Sequence, residues 1–91
     1  LGAAERTQAV QLSATLRGIV DTMRANPGMD TNALSKLEAQ AMQSLSQTGW
    51  RPDYVAIRRQ ADLQAPQVGD AKVVLAAARL GATRLIDNME V

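Results

Sequence analysis

Lys72-Val73-Val74-Leu75-Ala76-Ala77-Ala78-Arg79-Leu80, then Gly81-Ala82, then Thr83-Arg84-Leu85-Ile86-Asp87-Asn88-Met89 is the stretch that decides the fold. Three consecutive alanines favour a helix, while Val73-Val74-Leu75 favours a strand. The residues that follow decide between the two. Gly81-Ala82 is a tight-turn pair, and residues 83–89 have the length and composition of a strand. The stretch therefore predicts a two-stranded hairpin, in which Arg79 and Arg84 stand directly opposite each other on one sheet face.

Upstream, Arg51-Pro52-Asp53 breaks any helix, and Tyr54-Val55-Ala56-Ile57-Arg58 has the aromatic and β-branched character of a strand. Residues 61–69, with Pro66 and Gly69, read as a loop with a turn around Asp62-Leu63. Before Trp50 the rhythm is helical. Ala9, Leu12, Leu16, Ile19 and Met23 recur at steps of three and four, which predicts an amphipathic helix over 3–26. Gly2 is a permissible N-cap for it, with the Glu5 carboxylate placed to favour the positive end of the helix dipole. Gly18 falls mid-helix, where its use would be to let a neighbouring backbone approach.

Asn26-Pro27-Gly28 ends that helix, because Pro27 cannot donate and disfavours a helical Asn26. A second helix is expected over 31–48, capped by Asp30 and ended by Gly49, with Leu34, Leu37, Ala41 and Leu45 on one face. The short connection implies an antiparallel helix pair. The expectation is an α+β fold: a two-helix hairpin packed on one face of a three-stranded antiparallel sheet, with residues 1–91 forming a single domain and no internal repeat.

Composition limits the chemistry. Apolar residues make up 46% of the 91 residues, but there is no Phe and only one Trp and one Tyr, so the core falls to Leu, Ile, Val, Met and Ala. Trp50 is expected to close one end of that core, an interface anchor being the other use of such a residue. There is no Cys, which removes disulfides and thiolate chemistry and is compatible with the cytoplasm. There is no His, so the commonest general base and commonest metal ligand are missing. Ten basic residues are scattered among nine acidic ones for a net charge of +1, without a basic run or an aromatic set for nucleic acid. The longest apolar stretch, residues 73–78, is far below the roughly 20 residues needed to cross a bilayer. No signal peptide is seen, and a start at Leu1 rather than Met reads as a piece of something longer.

The candidate reactive groups do not assemble into a site. Asp53, Asp62, Asp70 and Asp87 have no spacing that fixes two of them together, and they read as caps and turn residues, Asp70 in the turn pair Gly69-Asp70. Serines and threonines lack a His to activate them, and Lys36 or Lys72 would serve as a base only if buried, which neither apolar context suggests. The glycines form neither a dinucleotide fingerprint nor a phosphate loop. No catalytic, cofactor-binding or metal-binding residue is therefore assigned. Arg79 and Arg84 are the one open question: like charges facing each other destabilise a sheet unless an anion lies between them. Either they splay into solvent or are balanced by a nearby Asp, or they face a polyanionic ligand held by another domain.

The last third of the chain, Ala76-Ala77-Ala78-Arg79-Leu80-Gly81-Ala82-Thr83-Arg84-Leu85-Ile86-Asp87-Asn88, resembles the A-A-R-L-G-x-T-R-L-I-D-N signature of bacterial pantothenate synthetases (pantoate–β-alanine ligases). Asp53-Tyr54-Val55-x-Ile57 followed by Leu63 is similar to that family's D-Y-V-x-[IV]…L strand, and Leu1-Gly2-Ala3-Ala4-Glu5-Arg6 resembles its helix opening, with Gly2 in place of a hydroxyl residue. The resemblance implies a C-terminal lid over an absent N-terminal nucleotide-binding domain. In the family the whole enzyme is an ATP-dependent carbon–nitrogen ligase that uses magnesium. It joins pantoate and β-alanine through pantoyl-adenylate, giving AMP and pyrophosphate, and is commonly a cytoplasmic homodimer. The family's H-I-G-H and S-S-R-N motifs lie upstream of the matched residues, so its catalytic residues map to no position here. The alternative is a stand-alone interaction or dimerisation module, whose mark would be an exposed apolar stripe on a helix.

Overall fold

The computed structural model describes residues 3–91, with side chains from Arg6 onward. Two helices, α1 (Ala3–Ala25) and α2 (Thr31–Gln47), precede three strands, β1 (Arg51–Arg59), β2 (Lys72–Leu80) and β3 (Thr83–Glu90). The strands form one antiparallel sheet in the order β1-β2-β3. Both helices lie on the same sheet face, α2 against β1 and α1 against β2 and β3. The α+β arrangement expected from the sequence is the observed one. No helix among the described residues is long and apolar enough to cross a membrane.

The core is the meeting of one stripe per helix with alternate residues of the strands. Leu12, Leu16, Ile19, Val20 and Met23 come from α1, and Leu34, Ala41 and Leu45 from α2, with Leu37 half-buried beside them. They meet Val55 and Ile57 of β1 and Val74, Ala76 and Ala78 of β2. Leu85 and Met89 of β3 complete the same face, partly buried. The two alanines lie in the middle strand, where a small side chain lets the helices approach and fill the space with leucine.

Both helix boundaries near the core are defined by hydrogen bonds. Asp30 Oδ1 accepts from the Ala33 amide at 2.8 Å, the N-cap that frees α2 from an orphan donor. At the other end the Trp50 amide donates to the Leu45 carbonyl at 2.9 Å and the Gly49 amide to Ser46 at 3.3 Å. Together with the left-handed Gly49 (φ 93°) this is a Schellman cap, and its apolar pair is Leu45 with Trp50, both in the core. Trp50 is 3% exposed, and its Nε1 donates to Gln11 Oε1 of α1 at 3.4 Å. It closes the end of the core, as the sequence suggests.

Two readings need revision, and a third is not tested. The first strand starts at Arg51, not Tyr54, because β1 is a sheet edge and an edge strand tolerates Pro52. Gly18 does not admit a neighbour: a Cβ placed there would meet nothing within 4 Å, and the residue faces solvent. The proposed cap at Gly2 and the side chain of Glu5 lie outside the described residues.

Two glycine substitutions separate these roles. Gly49→Ala forces an L-residue into the left-handed region and is expected to lower the unfolding free energy by about 1–2 kcal/mol. Gly18→Ala replaces glycine in an open helical position and is expected to raise it by about 0.5–1 kcal/mol. Urea unfolding of the two variants checks both signs, and equal destabilisation by both would contradict the cap.

Candidate functional site

Because the helices occupy one face of the sheet, the other face is where side chains are presented outward. Its residues follow from the register. Tyr54, Ala77 and Ile86 lie in one row, Ala56, Leu75 and Asn88 in the next, and Arg58, Val73 and Glu90 beyond them. At the opposite end, Arg51, Arg79 and Arg84 form a row of three arginines across the strands.

A β-bulge organises the arginine end. The register of β1 shifts between Pro52 and Tyr54, leaving Asp53 as an extra residue without a partner across the ladder. The Asp53 carboxylate reaches two strands away: the Nε of Arg84 lies 2.8 Å and that of Arg79 3.6 Å from the same Oδ2. The hydrogen bond from Arg84 and the positive charges of both arginines hold the Asp53 carboxyl below its ordinary range, against a smaller opposing effect of desolvation. The carboxylate that the facing arginines require is thus supplied by the chain itself. Three guanidiniums against one carboxylate still leave the row two charges positive.

A second ionic cluster sits where β1 runs into the 60–71 connection. Arg59 holds Asp62 with two hydrogen bonds, Nε to Oδ1 at 3.0 Å and Nη2 to Oδ2 at 2.6 Å, and its Nε is 3.9 Å from Asp70 Oδ2. The hydrogen bond from Arg59, helped by the Gln64 amide, lowers the Asp62 pKa, and Asp62 in turn raises that of Arg59. Sequence spacing gives no reason to bring Asp62 and Asp70 near one another; the shared cation does so by closing the loop. Asp70 also accepts from the Gln67 amide at 2.8 Å, the turn role expected of it. Leu63 adopts φ 58° within this connection, where its amide donates a hydrogen bond to the Arg59 carbonyl at 2.9 Å.

The remaining candidates lie outside these ion pairs. Lys36 is exposed, and the ammonium of Lys72 donates to the Asp70 carbonyl at 2.9 Å. Asp87 points to the helix side of β3, half-buried. Glu38 of α2, which the sequence does not single out, accepts from the Ile57 amide at 2.8 Å and so satisfies an outward-facing donor of the edge strand. A half-open cleft of about 310 Å³ lies at the far end, between Met23, Pro27, Met29, Leu34, Lys72 and Val91. Among the described residues no three carboxylate, imidazole or thiol groups come together. Asp53, Asp62 and Asp70 are committed to arginines, so these carboxylates are not arranged to hold a magnesium ion.

The described residues form a scaffold that presents an outward sheet face, and its relatives are known. A sequence profile of the pantoate-beta-alanine ligase family matches residues 1–90. The chain is 50% identical over 95 aligned positions to the pantothenate synthetase of Leptothrix cholodnii, covering 99% of this chain and 32% of that protein. Two crystal structures of the pantothenate synthetase of Thermus thermophilus superpose on it with TM-score 0.71 at 26% identity, over 99% of this chain and 32% of theirs. The chain belongs to the pantoate–β-alanine ligase family and spans about a third of the length of these relatives.

The Asp53 tie has a pH signature. A carboxyl whose folded pKa is lowered stabilises the fold above its unfolded value, about 3.9, and loses that contribution as pH falls through the folded value. The melting temperature of Asp53→Asn is therefore expected to lie below that of the native chain at neutral pH, with the gap closing under acid and narrowing in high salt. A gap that persists unchanged at the lowest pH would show that the ion pair does not hold β1 to β3.

Proposed function

We propose that this chain is the lid domain of a pantothenate synthetase, the enzyme that condenses pantoate and β-alanine with ATP through pantoyl-adenylate, releasing AMP and pyrophosphate. The single observation that carries the reading is the family match along residues 1–90 combined with coverage of about a third of the relatives' length. A chain without His or Cys, whose Asp53, Asp62 and Asp70 carboxylates are taken up by arginines, is suited to covering chemistry performed elsewhere.

The need for a cover follows from the intermediate. An acyl-adenylate is a mixed anhydride that water hydrolyses, so a site that makes one gains by excluding solvent until the amine attacks. In this reading residues 1–91 form one domain, and a nucleotide-binding domain precedes them in the full enzyme. That domain brings the groups that bind ATP, magnesium and the two acids. The whole enzyme works in the cytoplasm as a homodimer joined through that other domain.

Three preparations test this: the 91-residue chain, the ligase without it, and the covalently intact ligase. With ATP, magnesium, pantoate and β-alanine, only the intact ligase is expected to form pantothenate efficiently. The ligase lacking this chain is expected to release more AMP than pantothenate, as unprotected adenylate is lost to water. Pantothenate formed by the 91 residues alone, or tight coupling without them, would sink the proposal.

A further inference from the structure

The sheet has one face filled by helices and one face turned away from them, whose Val73 end is buried and whose Arg58 reaches back to Glu38 of α2. At the centre of the open face are Tyr54, 39% exposed, and Ile86, 63% exposed, flanking Ala77, with Leu75 half-buried in the adjoining row. At one end stands the row of Arg51, Arg79 and Arg84 tied to Asp53, and at the other Arg58 and Glu90. An apolar centre that includes a tyrosine, bordered by arginines and other charges, has the anatomy of a protein interface.

We infer that this open face is the surface through which the lid docks on the rest of the ligase, resting on the lid reading above. The surface it meets is apolar opposite Tyr54 and Ile86 and acidic opposite the arginine row, whose single carboxylate leaves it positively charged. Area selects this occupant over a second copy of the chain. Three strands about 4.8 Å apart and eight residues long offer a face of roughly 400 Å², or about 800 Å² counted on both partners. That lies within the roughly 600–1,500 Å² of contacts between domains of one chain, and below the roughly 1,200–2,000 Å² of stable free complexes. A covalent tether supplies the local concentration, in the millimolar range, that so small a contact needs.

The chain contains no cysteine, so a single introduced thiol reports its own surroundings. Ile86→Cys and Tyr54→Cys probe the open face, and Gln43→Cys, exposed on α2, probes the helix side. Each is labelled with a small maleimide in the 91-residue chain and in the intact ligase with ATP and pantoate, the modified peptide being quantified by mass. If the face is covered nine-tenths of the time, labelling at Ile86→Cys slows by about tenfold in the intact ligase. Gln43→Cys labels at the same rate in both. Tyr54→Cys gives the same reading should Ile86→Cys disturb the strand.

Equal rates at both sheet positions in the two preparations would overturn the inference, as would protection of Gln43→Cys instead. Concentration-dependent protection in the 91-residue chain would assign the face to self-association and overturn it too. The lid reading stands or falls separately on the coupling of AMP to pantothenate, so a lid that closes through another face leaves that assay intact.

Discussion

The structure depends on one constraint, the small side chains of its middle strand. Ala76, Ala77 and Ala78 of β2 are completely buried, yet they contribute little volume of their own. Because they are small, Leu12 and Leu16 of α1, at 1% and 0% exposure, reach close to the sheet on one side. On the other side Tyr54 and Ile86 flank Ala77 from the outer strands. A larger residue at 76 or 78 would push the helices off the sheet, because both side chains are fully enclosed by the core. The absence of phenylalanine is the compositional face of the same arrangement: many small aliphatic contacts replace a few large ones.

Those alanines are also why the strand is hard to read. Their local propensity favours a helix, and only the turn pair Gly81-Ala82 with the β-branched and alternating residues around it tips the reading to a hairpin. The observed pairing of Leu80 with Thr83 and Arg79 with Arg84 matches the two-residue turn, with Gly81 at φ 61° supplying the left-handed step. The helix ends are legible because Asp30, Pro27 and Gly49 act through local chemistry that needs no knowledge of the fold.

What sequence alone hides depends on contacts distant along the chain. The bulge at Asp53 leaves no local mark beyond a Pro that suggests an end to regular structure, and its meaning emerges only when the carboxylate meets Arg84, 31 residues away. Arg51 is invisible as a third member of the arginine row as long as the strand is taken to start after it. Glu38 illustrates a further case: a helix residue of ordinary appearance becomes an edge-strand acceptor only once α2 lies beside β1. Gly18 errs the other way, a local feature credited with a tertiary purpose that its open surroundings do not support.

The division between the two faces bears on how such a domain works within a ligase. The helix face is stapled by a Schellman cap, an N-cap and a continuous core, and has no reason to open. The opposite face carries few large apolar groups, and its strongest charges are already partly satisfied within the chain by Asp53. In the lid reading, undocking such a face strands little apolar surface and returns its surplus positive charge to water, so the open state is not heavily penalised. A cover that must admit substrates and release products in every cycle needs near-balance between open and closed states. In the lid reading the Asp53 tie contributes to that balance: by holding Arg79 and Arg84 in place before contact, it lowers the ordering that docking demands of them, while taking up part of the charge that would otherwise bind too firmly.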